Sequence, residues 1–410
     1  MIGLFGGTFD PFHMGHRAIL ESALAQLNLD DLIVMPVGRA PHKDRQTSFA
    51  AFRYEMAHLG SQGLGNLTVS DDEIKEPGID YSYHTVLRIK KERPGQEVTL
   101  IAGSDVLLSI DSWYSPADLL KEASLAVALR GGDDLDLILE KAQTVQKTYA
   151  TSVTLFDMPT ISLSASQLRQ LMEGGDPVDN LCPPRVESFL LQYKIYDFQE
   201  VSTALGPEAW QALLDLEEKT WQHQSQERRL HAASVAQYAA RLALVYGEDP
   251  GLAARAGLLH DLAKGMSLDK QRALASRYLD LAGHDHESGQ SSMNPQLLHG
   301  PASASLAMDL TGELVGPLSE AIAFHSTAAP FMSTLGEILF LADKIAYDRN
   351  FSRLEPIRKL ALEGQIGRAM LLCLEEIFQA LERKGESPSP LSLEAYEKYK
   401  SRAWPVGNML

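Results

Sequence analysis

The chain has 410 residues, too long for one ordinary hydrophobic core, so two domains are the first expectation. Its net charge of −17 argues against a nucleic-acid-binding surface, although small anionic substrates need only a few local cations. Hydrophobic residues make up 45%, no stretch reaches the roughly 18 apolar residues of a membrane span, and the chain opens on a strand rather than a leader, so a cytoplasmic protein is expected.

Taken in chain order, Ile2–Phe5 is a short apolar run closed by Gly6-Gly7, Ala18–Leu27 reads as a helix, and Leu32–Pro36 is a second strand. Leu67–Ser70, Val98–Gly103, Leu125–Leu129 and Val153–Phe156 are further strand candidates with helical patterns between most of them. Strands alternating with helices predict an α/β Rossmann-like, doubly wound parallel sheet. The character changes between Phe198 and Pro207. Beyond it the apolar spacing is helical: Val235, Tyr238, Ala239 and Leu242 form one stripe, and Ala256, Leu259, His260 and Ala263 another. The expected organisation is an α/β domain over residues 1–200 and an all-α domain over residues 207–405. The two cysteines, Cys182 and Cys373, are far apart and in no metal-like spacing, which fits a reducing compartment.

The most specific segment is Gly6-Gly7-Thr8-Phe9-Asp10-Pro11-Phe12-His13-Met14-Gly15-His16. A strand enters a glycine turn that lets backbone N–H groups approach a phosphate, and a helix N-terminus follows that favours anions. His13 and His16 can both donate to phosphoryl oxygens. Here the sequence resembles the nucleotidyltransferases marked by an HxGH loop and, more narrowly, bacterial nicotinate-nucleotide adenylyltransferase, over roughly residues 1–197. Pro41-His42-Lys43, Tyr81-Ser82-Tyr83-His84-Thr85, Gly103-Ser104-Asp105, Trp113-Tyr114 and Ser164-Ala165-Ser166-Gln167-Leu168-Arg169 resemble the family's other elements. His84 stands where the family usually has an acidic residue, and Ala165 where it has a hydroxyl.

The resemblance implies adenylyl transfer from ATP to nicotinate mononucleotide, with Mg²⁺ carried on the phosphates. It assigns His13, His16, Lys43 and Arg169 to the phosphates, and Ser164 and Ser166 to hydrogen bonds from a helix N-terminus. Asp105, beside Gly103, falls to the ribose, and Trp113 and Tyr114, with Thr85 nearby, to the nicotinate ring. Gly6, Gly7, Thr8 and Phe9 form the turn. Another mononucleotide or phosphopantetheine is the alternative acceptor.

In the second half, His231, His260, Asp261, His299, His325 and Asp343 stand out, several of them on apolar helix faces. Polar groups aimed into a core are costly unless paired or metal-bound. Imidazole and carboxylate without thiolate suit Fe, Mn, Co or Zn. The adjacent pair His260-Asp261 within this order resembles the HD phosphohydrolases. More specifically, residues 208–404 resemble bacterial enzymes that split diadenosine tetraphosphate symmetrically. The resemblance implies two divalent metals, iron first, with Asp261 bridging them and Lys264 on a substrate phosphate. The chain departs from that family at Thr327-Ala328-Ala329 and at Ala346-Tyr347-Asp348-Arg349, so another nucleotide phosphatase, phosphodiesterase or regulatory role is the alternative. The expected partners are ATP, nicotinate mononucleotide and a dinucleoside polyphosphate, with neither nucleic acid nor membrane; homo-oligomerisation is left open.

Overall fold

A computed structural model describes residues 1–39, 47–76, 78, 81–161, 163–283 and 295–403. The chain divides into two compact units, Met1–Leu191 with Ile195–Asp197, and Gln192–Lys194 with Phe198–Leu410.

The first unit is built on a six-stranded sheet. Its strands are β1 (Ile2–Gly7), β2 (Asp31–Pro36), β3 (Leu67–Val69), β4 (Val98–Gly103), β5 (Ser124–Leu129) and β6 (Val153–Asp157). Every pairing is parallel and the order is β3-β2-β1-β4-β5-β6. All six expected strands are present, and the order is that of a doubly wound dinucleotide-binding sheet. The strands read as apolar runs because helices bury both faces. β4 is buried along its whole length, and Ile2, Leu4, Leu100, Leu125 and Val127 belong to one core cluster. Chain order reverses between β1 and β4, which opens a crevice beyond their carboxyl ends.

The first helix runs Met14–Gln26, beginning four residues earlier than apolar spacing predicts. The reason is polar. His13 is its N-cap: Nδ1 accepts from Gly15 N–H at 3.1 Å, and the His13 N–H donates to His16 Nδ1 at 3.1 Å. The two histidines thus form a reciprocal capping box that satisfies orphan amides, work usually done by Ser and Glu.

The second unit is helical, with no strand among its described residues. Helices Gln226–Tyr246 and Pro250–Leu259 pack together, as do His299–Thr311 and Pro317–Phe324, and Thr334–Ile345 packs against members of both pairs. Val235, Tyr238, Ala239, Leu242, Ala256, Leu259 and Ala263 are all buried, as the helical stripes require. Among the described residues no helix is long and apolar enough to cross a membrane.

Candidate active sites

The crevice at the β1–β4 switch is a cavity of about 480 Å³. Gly6, Gly7, Thr8, His16, Gly103, Asp105, Trp113 and Tyr114, all singled out from the sequence, line it. The capping box decides what the histidines offer. In each ring Nδ1 accepts a backbone N–H, so in the neutral imidazole the proton sits on Nε2. His13 is held neutral, its pKa lowered to about 4 by burial and then by the nearby Arg130 charge. The two rings stack at 3.8 Å between centroids. A Cβ on Gly15, between them, would lie 2.9 Å from His13 Cε1, so a larger residue there would displace the capping ring.

The loop before the helix is rigidly held. Asp10 is buried and accepts from Ser48 Oγ at 2.6 Å and Tyr196 Oη at 2.8 Å. Arg53, only 1% exposed, donates to the carbonyls of Ser48, Thr8, Val37 and Gly38. Arg169 is buried as well; its Nη1 donates to Asp10 O and its Nη2 to Ser166 Oγ at 2.8 Å. That ties the helix Ala165–Gly174, capped by Ser164 and Gln167, to the loop. Ser164, Ser166, Arg169 and His13 therefore flank the loop without lining the cavity. Phe9 points inward: it is 1% exposed, and its ring meets His16 edge-on at 5.1 Å. What it offers a ligand is backbone. Thr85 is also buried, its hydroxyl donating to Glu73 Oε1 at 2.5 Å, and Glu73 is the member of the pair that lines the cavity. Lys43 lies outside the described residues.

The structure gives a place to Tyr81, named in the sequence only as part of the Tyr81–Thr85 element, and adds Arg130, which motif reading passed over. Tyr81 lines the cavity and stacks on Tyr114 at 4.3 Å, with the His84 ring 5.6 Å from Tyr114. Arg130 also lines it and pairs with Asp105 at 3.1 Å. Gly103 leaves room for that pair, because a Cβ there would stand 2.5 Å from an Arg130 Nη. The available signal was position: Arg130 follows the carboxyl end of an apolar strand, where ligands of such sheets bind.

In the helical unit, His231, His260, Asp261, His299, His325 and Asp343 are all buried. Three imidazoles share one device. Nδ1 of His260, His299 and His325 each lies 2.7 Å from the carbonyl three residues back, Gly257, Gln296 and Ile322 respectively. A carbonyl only accepts, so each Nδ1 carries the proton and each Nε2 turns a lone pair toward Asp261 or Asp343. His260 Nε2 lies 3.6 Å from Asp261 Oδ2 and 3.9 Å from Asp343 Oδ1. His299 and His325 Nε2 lie 3.4 and 3.6 Å from Asp261 Oδ1. Burial first of all lowers the pKa of His260 to about 3 and of His299 to about 4, so both rings are neutral. For His231 burial acts downward too, but the hydrogen bonds it donates to the Asp343 and Asp348 carboxylates outweigh it and hold the ring at about 9.

Two sets of donor atoms close enough for one ion overlap at His260: His231, His260 and Asp343, and His260, Asp261 and His325. His260 Nε2, His325 Nε2 and Asp261 Oδ1 are buried without any hydrogen-bond partner. Buried polar atoms in a folded protein are almost always satisfied, so this orphaned set of neutral nitrogens and carboxylate oxygens fits divalent cations. Three cations already lean on the carboxylates: Lys264 Nζ is 2.7 Å from Asp261 Oδ2, Arg349 Nη2 is 2.7 Å from Asp343 Oδ1, and Lys344 also pairs with Asp343. Asp348, unmarked in the sequence reading, bonds His231 Nδ1 at 2.7 Å and fixes that ring from behind.

An α/β nucleotide-binding crevice and a buried His/Asp cluster on helices define a two-part chain. Residues 4–171 match the cytidylyltransferase-like family and residues 228–348 match the HD domain. A Clostridium tetani protein named "Probable nicotinate-nucleotide adenylyltransferase" is 31% identical over 194 residues, 47% of this chain and 97% of its own length. A Synechococcus protein of the same name is 33% identical, covering 48% of this chain and 94% of its own length. In its cytidylyltransferase-like half the chain belongs to the nicotinate-nucleotide adenylyltransferase family. Among solved structures, a Clostridium acetobutylicum protein described as a "predicted HD superfamily hydrolase involved in NAD metabolism" shares 30% identity. It covers 46% of this chain and 96% of that one, with a TM-score of 0.42. The Plasmodium falciparum nicotinic acid mononucleotide adenylyltransferase complexed with NaAD is 19% identical, covering 48% and 98%, with a TM-score of 0.40.

Proposed function

We propose that residues 1–200 transfer the adenylyl group of ATP to nicotinate mononucleotide, and that residues 207–405 hydrolyse diadenosine tetraphosphate or a related nucleotide. The observation that carries the first half is the capping box, which presents the Nε2–H groups of His13 and His16 beside a glycine turn at the sheet's switch point. In this reading a phosphate oxygen of nicotinate mononucleotide attacks the α-phosphorus of Mg-ATP. The bond from that phosphorus to the bridging oxygen breaks, and pyrophosphate leaves with the electron pair. Nothing covalent is asked of the protein; its work is placement and charge. His13 and His16 donate to the phosphoryl oxygens, Lys43 and Arg169 neutralise the triphosphate, and Ser164 and Ser166 hold its outer oxygens. Asp105 takes the ribose. Trp113 and Tyr114, backed by Tyr81, take the nicotinate ring, with Thr85 behind Glu73.

For the second half, His231, His260, Asp261, His299, His325 and Asp343 would hold a pair of divalent cations, iron foremost. Such a pair supplies Lewis acidity and an activated water when bound. The chain's own contribution is to fix the Nε2 lone pairs of His260, His299 and His325 through backbone carbonyls, to hold His231 through Asp348, to set Asp261 between imidazoles, and to bring Lys264 and Arg349 to a phosphate.

Both halves are tested on the full chain. With Mg-ATP it should consume nicotinate mononucleotide and release pyrophosphate; turnover of phosphopantetheine instead overturns the first reading. The His260→Ala/Asp261→Ala variant should lose most of its bound metal, and an unchanged metal content sinks the second. Diadenosine tetraphosphate should yield ADP alone by ion-exchange chromatography with the metal-loaded chain, and none with the variant.

A further inference from the structure

Beside the His/Asp cluster lies a second cavity, of about 440 Å³, within the size range of small-molecule sites. One wall carries His299, Asp343 and the cations Lys264, Lys344 and Arg349. The lining continues along a stripe of the helix Ile366–Lys384, with Cys373, Glu376, Ile377, Ala380 and Arg383 at helical spacing. That helix packs against Thr334–Ile345, which carries Asp343. At about 1.5 Å of rise per residue, the stripe carries the cavity wall roughly 15 Å from Cys373 to Arg383.

The charges on these walls are not equivalent. Lys264 leans on Asp261, and Lys344 and Arg349 on Asp343, so these three neutralise ligand carboxylates. Glu376 is taken by Arg353 at 3.1 Å. Arg383 has only Gln379 O, 3.2 Å from its Nε, and among the described residues no carboxylate pairs with its guanidinium. Between the two groups the lining turns apolar, with Phe351, Ile377 and Ala380. A second observation points the same way: Ser326 lines this cavity, and its Oγ is buried with no hydrogen-bond partner.

Resting on the phosphohydrolase reading above, we infer that this cavity is the substrate cleft and that Arg383 and Ser326 are its specificity determinants. They bind the part of a polyphosphate chain that extends away from the reacting phosphate. A single phosphate held at the His/Asp cluster needs neither residue. A nucleoside polyphosphate, or an inorganic chain of several phosphates, spans the cleft: it satisfies the orphaned hydroxyl, meets the unpaired guanidinium, and can lay a base or ribose on Phe351 and Ile377.

The test is calorimetric titration of the metal-loaded full chain with inorganic tripolyphosphate and, separately, with orthophosphate. Binding needs no turnover, so failure of the hydrolase reading shows up separately, as intact nucleotide beside normal tripolyphosphate binding. Wild type should prefer tripolyphosphate, and Arg383→Gln should weaken tripolyphosphate by about tenfold while orthophosphate affinity holds, closing the gap. Ser326→Ala should show a smaller loss in the same direction. Bound metal per chain, measured on each variant, shows that the His/Asp cluster is intact. Equal tripolyphosphate affinity in wild type and Arg383→Gln overturns the assignment, as does a wild type that does not distinguish the two anions.

Discussion

His13 does two things through one tautomer. Its Nδ1 caps the helix, and that same bond leaves the proton on Nε2, where a phosphate can use it. Burial, with Arg130 second, keeps the ring neutral down to about pH 4, against 6.5 for a free histidine. As the pH falls through 6.5 the unfolded chain takes up a proton that the folded chain refuses. Stability is therefore complete above 6.5 and is lost progressively toward 4, by about 3 kcal/mol in all. Urea denaturation of wild type and His13→Gln between pH 4 and 7 should show a steeper loss of stability in the wild type than in the variant, which keeps the slope due to His260 and His299; parallel profiles would show that the ring is not held as described. None of this burial could be read from the sequence. The pair His13 and His16 was legible as a phosphate-loop motif, but not as the helix cap, because capping boxes are recognised by Ser, Thr and Glu. Arg130 and Glu73 were missed for a related reason: each reaches the crevice through tertiary placement, outside any motif.

At the scale of elements, both helix pairs that carry the metal-type histidines meet through a glycine. A Cβ on Gly257 would lie 2.5 Å from Ala236 Cα, and one on Gly300 would lie 2.5 Å from Ala323 O. Backbone cannot swing aside as a side-chain tip can, so the missing Cβ sets how near the helices come. His231 and His260 rings meet at 5.1 Å between centroids, and so do His299 and His325. Gly257→Ala should force Gln226–Tyr246 and Pro250–Leu259 apart, destabilising the fold by about 1–3 kcal/mol. It should also lower bound metal, since His260 is one turn from the wedge and Gly257 O holds its Nδ1–H. Metal analysis and thermal melts check this together, and a variant with full metal and an unchanged melt would remove glycine from the account. Helical periodicity found Gln226–Tyr246 and Pro250–Leu259 and put His260 on an apolar stripe. The interhelical closeness was invisible, because a glycine inside a helix reads from sequence only as a weak helix former. Asp348 was likewise invisible as a partner of His231, 117 positions away in the chain.

For the whole molecule, a net charge of −17 sits beside two sites proposed to bind phosphates. There is no conflict, because each site gathers its own cations: Arg130 and Arg169 in the first unit, Lys264, Arg349 and Arg383 in the second. Each unit has its own core and encloses its own candidate site within its own residues. A ligand stabilises only the cooperative unit whose folding creates its site, and by about 4 kcal/mol at a thousand times its dissociation constant. For a unit of some 200 residues that amounts to a rise in melting temperature of roughly 8–16 °C. Calorimetry of the full chain should therefore resolve two transitions. Mg-ATP with nicotinate mononucleotide should raise one, and divalent metal loaded without nucleotide should raise the other, an increase that a chelator reverses. If one ligand moved both transitions equally, the two sites would belong to a single cooperative unit and the proposed independence of the two halves would be lost.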